Sequence, residues 1–177
     1  MKKLRRLLQY LYRTRDEFLT LGGTDMMLIG MNTFIDVALA VHLDMKSHTG
    51  GLVTLGRGAV MSKSSKQKLN TTSSTTSELV GYSDYTPSSI WGNKFLDWQG
   101  YELENNTHQD NQSAIKLERN GRRSCGQKTR HIDIRYFYLK DLIDRGEIKV
   151  HYCPTERMIA DFFTKPLQGT LFNRLKA

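Results

Sequence analysis

Cysteine is scarce in this 177-residue chain: Cys125 and Cys153 are the only two, and neither has another cysteine near it. That excludes a disulfide framework and any Cys-x-x-Cys metal or redox motif, and it fits a reducing compartment. Proline is scarce too, with three residues, and the 14 glycines follow no period, which sets aside collagen-like, solenoid and low-complexity architectures. Long apolar runs are missing. The best candidate, Phe34 to Val41, is interrupted by Asp36 and falls far short of the ~20 residues a membrane span needs, so no membrane partner is expected. Met1 leads into Lys2, Lys3, Arg5 and Arg6 without the apolar stretch and cleavage site of a secretory leader, so none is expected. With 38% hydrophobic and 25% charged residues, the composition is that of one ordinary globular domain.

Positive charge, by contrast, is in excess. Lys and Arg number 26 against 18 Asp and Glu, for a formal net charge of +8. Such a surplus creates a field that gathers polyanions, nucleic acid first among them; the plainer alternative is a solvated cationic surface without a ligand.

Residues 1–20 carry Leu4, Leu7, Leu8, Leu11 and Tyr12 at helical spacing with basic residues between them, the pattern of a basic amphipathic helix ending near Gly22-Gly23. From Asp25 the pattern turns to β, and three antiparallel strands over roughly 26–40, 49–56 and 58–66 are the economical reading, with Gly50-Gly51 as punctuation. The Ser/Thr run from Thr71 to Ser77 can cap a helix starting near Ser74, which Pro87 should kink or split. A short strand near 105–110 precedes a helix ending at Asn120-Gly121. A basic loop, a helix over 132–142, a strand over 147–152, a helix capped by Thr155 and a last apolar segment complete the chain. This order describes an α/β fold: a five-stranded mixed central sheet flanked by helices.

Four acidic residues stand out against the basic background. Asp36 lies inside the first strand, Glu78 in the first turns of the long helix, Asp110 at the end of the fourth strand, and Asp161 within the apolar stretch Met158 to Phe163. Each has a plainer role available: a solvent-facing strand position, a favourable helix-dipole charge, an N-cap and a solvent-facing helix position, respectively. Together they would repel one another unless cations held them. A pair of Mg²⁺ ions, with Mn²⁺ as a substitute, suits such hard oxygen ligands and can activate a water while stabilising the leaving oxygen of a phosphodiester.

Three segments carry a more specific signal: Gln109-Asp110-Asn111-Gln112-Ser113-Ala114, Thr129-Arg130-His131-Ile132-Asp133-Ile134-Arg135-Tyr136, and Tyr152-Cys153-Pro154-Thr155 followed by Ala160-Asp161-Phe162-Phe163-Thr164-Lys165-Pro166-Leu167. In this order they closely resemble the C-terminal ribonuclease H region of Copia-type (Ty1/Copia) retrotransposon Pol polyproteins. The resemblance runs from about residue 25 to 175 and includes Ser62 to Lys68. Residues 1–24 resemble the end of the preceding reverse-transcriptase part, so the chain divides into 1–24 and a ribonuclease H-like domain over 25–177. The resemblance implies a ribonuclease H-like fold and cleavage of the RNA strand of RNA–DNA hybrids during reverse transcription. It also implies two metal ions held by Asp36, Glu78, Asp110 and Asp161, with the reverse-transcriptase part as a partner. The place of action it implies is the cytoplasm, virus-like particles or the nucleus. Asp36 and Asp110, on neighbouring strands, would bridge the metals, with Glu78 on the leaving-group side and Asp161 on the water side.

The chain departs from the family pattern at two points: Thr76 occupies a usual acidic position, and Val37 follows Asp36 where its branched side chain should crowd the site. Phosphate contacts are assigned to Lys63, Lys66, Lys68, Arg122, Arg123, Lys128 and Arg130. Asp133 and Arg135 read first as a helix-start charge and a structural ion pair, and His131 as a structural residue with product release as its alternative role. The rival reading for the whole chain is a catalytically silent nucleic-acid-binding remnant of such a polyprotein. A transposase or integrase nuclease fits less well, because those sites usually rely on three acidic residues.

Overall fold

The computed structural model describes residues 1–21, 30–120 and 130–176, without the side chains of 117–120 and 130–133. The expected basic loop, with Arg122, Arg123, Cys125 and Lys128, lies outside the described residues, as do the side chains of Arg130, His131 and Asp133. Helix α1 (Lys2–Arg13) buries none of its residues, and Leu4, Leu7, Leu8 and Leu11 are exposed. It meets the rest of the chain where Tyr10 touches the edge of Phe172, and just beyond the helix Lys176 donates to the Glu17 carboxylate.

Three consecutive strands, β1 (Met31–Ala38), β2 (His48–Thr54) and β3 (Ala59–Lys66), form the antiparallel half of the sheet. Helix α2 (Ser74–Trp98) crosses back, so that β4 (Asn105–Gln109) pairs parallel to β1. After α3 (Gln112–Asn120) and α4 (Arg130–Asp144), β5 (Lys149–Tyr152) pairs parallel to β4. The strand order β3-β2-β1-β4-β5 makes the five-stranded mixed sheet expected from the sequence, flanked by helices. Its consequence for function is directional. β1, β4 and β5 run the same way, so the chain leaves all three at one end of the sheet, the usual position of a site in a sheet of this kind.

β1 is central and therefore buried on both faces. Its inner residues Met31 and Ile35 pack with Leu79, Tyr82 and Tyr85 of α2 and with Tyr136 and Leu139 of α4 in the main core. On the opposite face, Leu52, Cys153, Met158 and Ala160 form a second, smaller core with Phe34 and Phe163. Two short 3-10 turns supply that layer, over Thr155–Arg157 and Ile159–Phe163, where the sequence suggests an α-helix. Pro154 and Pro166 bracket the segment, and a stretch this short between two prolines closes in tighter turns. The regular helix comes later, as α5 (Gly169–Lys176).

Glycines set the distances between these layers. Gly50 and Gly51 are not punctuation: they sit inside β2, opposite Asp36 and Ile35. A Cβ on Gly50 would lie 2.6 Å from the Phe163 Cβ, and one on Gly51 would lie 2.5 Å from the Tyr85 ring. Adjacent strand residues face opposite ways, so the pair admits the 3-10 layer on one face and α2 on the other. Gly81 lets α2 lie against β1, since a Cβ there would come within 2.4 Å of a Val37 methyl.

α2 begins where Ser73 accepts the Thr76 N–H at 3.1 Å, an N-cap read correctly from the Ser/Thr run. Pro87 does not split it. The helix is one element of 25 residues, with Tyr82, Tyr85 and Thr86 buried before the proline and Ser89 and Gly92 buried after it. Packing on both sides outweighs the roughly 3 kcal/mol that an interior proline costs.

Two alanine substitutions on α2 separate helix propensity from packing. Gly92→Ala should stabilise the fold by about 0.5–1 kcal/mol, because that position favours alanine in a helix and its Cβ would meet nothing closer than the Met61 sulfur at 3.5 Å. Gly81→Ala should instead destabilise by about 1–3 kcal/mol, as overpacking against Val37 exceeds the same gain. Urea unfolding of both variants checks the opposite signs; equal shifts would mean that α2 does not bear on β1 through Gly81.

Candidate active site

Asp36 stands near the C-terminal end of β1, Asp110 directly follows β4, and Glu78 lies in the second turn of α2, whose start faces the same end of the sheet. A carboxylate oxygen from each of these three lies within 4.8 Å of the others. The plainer roles available to them fail one by one. Asp36 and Glu78 are 2% and 3% exposed, so neither is a solvent-facing charge. Asp110 is not the N-cap of α3: Asn111 holds that place, its Oδ1 accepting the N–H groups of Ser113 and Ala114 at 3.0 and 3.1 Å.

Asp161, placed by the second 3-10 turn rather than by a helix, is 2% exposed and also faces inward. It stands outside the three-carboxylate cluster and is joined to it through Lys165, whose ammonium donates to Asp161 Oδ1 at 2.8 Å and to Asp36 Oδ1 at 3.4 Å. Thr164 donates its hydroxyl to the other oxygen of Asp36. Thr155 donates to Asp110 Oδ2 at 3.1 Å instead of capping a helix. The 3-10 layer is fastened to the sheet by Ser64, which donates to the Phe163 carbonyl at 2.7 Å and lies 2.7 Å from His48 Nε2.

The sequence reads Thr155 only as a helix cap and gives Thr164 and Lys165 no role, although all three sit in the segments that carry the family resemblance. The available signal was their spacing: Lys165 is four residues after Asp161, and Thr155 opens the turn after β5. Val37 does not crowd Asp36, because its side chain turns to the other face of the strand, against Gly81 of α2. Arg135 makes an ion pair with Asp84 of α2, a structural role with a partner other than Asp133. Lys63 and Lys66 are exposed on β3, with Lys68 just beyond it, and Lys66 also bonds Asp44 at 3.0 Å. Because Asp36, Gly50 and Ser64 lie in register across the sheet, these lysines flank a line two strands from the acids, or about 10 Å away.

The donor set fits a divalent ion. It consists of hard carboxylate oxygens alone, and Glu78 Oε2 is buried without a hydrogen-bond partner, an acceptor left for a cation.

A five-stranded sheet of this order with such an end-of-strand site defines a class, and the comparison with solved structures agrees. The fold matches a ribonuclease H1 isolated from compost by a metagenomic approach, with a TM-score of 0.55 at 13% identity over 76% of this chain and 91% of that one. It matches the N-terminal RNase H domain of a Mycobacterium tuberculosis protein with a TM-score of 0.50 at 12% identity, over 82% and 95% of the two chains. A complex of the compost enzyme with an RNA/DNA hybrid matches with a TM-score of 0.50 at 8% identity, over 72% and 88%. The fold is that of ribonuclease H domains.

By sequence, the chain is 33% identical over 172 residues to the retrovirus-related Pol polyprotein from transposon TNT 1-94 of Nicotiana tabacum. It is 28% identical over 177 residues to that from transposon RE1 of Arabidopsis thaliana. These alignments take in 96% and 97% of this chain but only 13% and 12% of the polyproteins. The chain thus has its relatives among the Copia-type retrovirus-related Pol polyproteins, of which it matches one segment. No protein-family model matches it.

The electrostatics of the site follow from burial and crowding. Burial pushes the Glu78 carboxyl well above its ordinary range, the charges of Asp36 and Asp110 push it further, and Lys165 and the Val37 N–H offset only part of this. Asp110 is raised by burial and by Asp36, against the Thr155 hydroxyl. Asp161 is pushed up to about 6 by burial, with its bond to Lys165 pulling the other way and Asp36 and Asp110 adding to the rise. Carboxyls raised in the folded state bind more protons there than in the unfolded chain. Their contribution to stability is present at low pH and is lost as pH climbs from the ordinary carboxylate range through the raised values.

Without metal, Glu78→Gln should therefore be more stable than the wild type at neutral pH, and the gap in Tm should widen as pH rises from about 4 to about 7. Thermal unfolding in EDTA across that range measures it. A gap that stays constant or shrinks would mean that the folded chain does not hold Glu78 at the cost described.

Proposed function

We propose that this chain is a metal-dependent endonuclease that cleaves the RNA strand of RNA–DNA hybrids during retrotransposon reverse transcription. The observation that carries the reading is the cluster of buried Asp36 and Glu78 with half-buried Asp110, in which Glu78 Oε2 is buried and unpartnered, and Asp161 beside it. Asp36 and Asp110 would be shared by two divalent ions, Glu78 completing the one on the leaving-group side and Asp161 the one on the water side. Mg²⁺ or Mn²⁺ bound there would supply an activated water and neutralise the leaving 3′-oxygen.

The remaining work falls to the protein. Thr155 fixes the rotamer of Asp110 and Thr164 that of Asp36, so the ligand oxygens are set in place beforehand. Lys63, Lys66 and Lys68, with Arg122, Arg123, Lys128 and Arg130, would contact phosphates. Discrimination of RNA would come from 2′-hydroxyl contacts and not from base edges. The likeness of the fold to a ribonuclease H1 solved with an RNA/DNA hybrid supports this substrate. Residues 1–24, whose helix leaves its apolar face uncovered, are assigned to the reverse-transcriptase part of the parent polyprotein, which is then the natural partner. The place of action in this reading is the cytoplasm, virus-like particles or the nucleus.

A second reading, hybrid binding without cleavage, is favoured by one feature: both oxygens of Asp36 already accept bonds, from Thr164 and Lys165.

Cleavage of a hybrid labelled on its RNA strand decides between them. In Mg²⁺ the wild type should cut, Asp36→Asn and Asp110→Asn should lose ~10²-fold or more, and Asp161→Asn should lose less and recover in part in Mn²⁺. Hybrid affinity should survive all three substitutions and fall steeply with salt. If the wild type binds the hybrid but cuts in neither metal, the binding-only reading takes its place.

A further inference from the structure

Lys165 is the feature of the site that the proposed chemistry does not use. Its ammonium lies 2.8 Å from Asp161 Oδ1 and 3.4 Å from Asp36 Oδ1, between two carboxylates that are almost completely buried. Lys165 itself keeps 38% of its side chain exposed, so open solvent lies within its reach. The backbone fixes the start of that reach. The Lys165 N–H bonds the Asp161 carbonyl at 2.9 Å, and Pro166 holds the residue before it out of helical geometry.

A lysine so anchored can leave the acids only by swinging its four-carbon stem toward the solvent that it already partly faces. A divalent ion shared by Asp36 and Asp161 would have to sit where the ammonium now sits, and the two cations would repel strongly at that separation.

We infer that Lys165 is a resident counter-cation of the acid cluster, displaced outward when metal binds, and that it thereby sets the metal affinity of the site. The inference rests on the metal-site reading above and adds a positioning residue to it. In the metal-free chain Lys165 neutralises part of the charge that would otherwise push Asp36 and Asp161 apart. On metal binding it yields its place, and its bonds to the two carboxylates are exchanged for those to the ion. An ordinary structural salt bridge would stay closed in both states.

Two measurements on the full chain test this. The first uses the wild type alone: acetylation of lysines by a brief pulse of an amine-reactive ester, read by mass spectrometry with and without Mn²⁺. Lys165 should react several-fold faster with Mn²⁺ present, while exposed lysines such as Lys63 and Lys68 keep their rates. The second is calorimetric titration of Mn²⁺ into the wild type, Lys165→Met and Asp110→Asn. Removing the competing charge should tighten binding about tenfold or more, and the Tm of Lys165→Met should fall in EDTA but recover in Mn²⁺. Unchanged labelling of Lys165, or a Lys165→Met affinity equal to that of the wild type, would overturn the inference while leaving the metal site intact if Asp110→Asn still loses binding. If neither wild type nor Lys165→Met binds Mn²⁺, the metal reading itself fails and Lys165 is a permanent counter-ion.

Discussion

Four carboxylates at one end of three parallel strands, three of them buried and Asp110 half-buried, repel one another, and one ammonium does not neutralise them. Much of the remaining architecture answers that constraint. The sheet must be held from both faces to keep the acids in place, and it is: α2 bears on one face across Gly51 and Gly81, the 3-10 layer on the other across Gly50. Each approach is possible only because a side chain is missing. The free energy that burial of Tyr82, Tyr85, Leu139 and Met158 contributes is what opposes the electrostatic cost at the strand ends. The site is therefore part of the fold's energetics as well as its chemistry.

The hydroxyls of Thr155 and Thr164 belong to the same account. Each donates to a carboxylate oxygen and offers no charge, so it orients an acid without competing for it. Lys165 differs in kind. It supplies the compensation that the metal-free state needs, and that compensation is in conflict with the state in which metal is bound. Whatever binds the folded site and not the unfolded chain also stabilises the fold, so metal and stability are linked through the same oxygens.

Much of this was legible in the sequence, for reasons that differ by element. The antiparallel β1 to β3 and the capped start of α2 follow from local patterns, alternation and Ser73; β2, β3 and the cap appear close to where those patterns put them, while β1 is shorter than the expected 26–40, at Met31–Ala38. The acids stood out in the sequence against a basic background, although each had a plainer role available, and the structure gathers Asp36, Glu78 and Asp110 with Asp161 beside them. What was not legible depended on contacts distant in sequence. Gly50 and Gly51 look like breaks in a strand unless it is known that Phe163 and Tyr85 press on them from opposite sides. Pro87 looks like a break in α2 unless the buried residues flanking it are known to lie on a sheet. Val37 looks like an obstruction beside Asp36 until the pleat turns it the other way. Thr155 looks like a helix cap and Lys165 carries no pattern of its own, and their roles arise from where β5 and the 3-10 turns leave them.

The 3-10 layer ties these strands of the argument together. A regular α-helix over 155–165 would put Asp161 and Lys165 one turn apart along a straight axis, with both backbones at a helix's usual distance from the sheet. The tighter turns, bounded by Pro154 and Pro166 and seated on Gly50, bring the segment closer in than that. A Cβ at position 50 has no room against the Phe163 Cβ at 2.6 Å. The closeness is what lets a single short segment place a carboxylate, a hydroxyl and an ammonium around Asp36. The glycine of a strand interior, weak in propensity terms, is thus the residue on which the composition of the site depends.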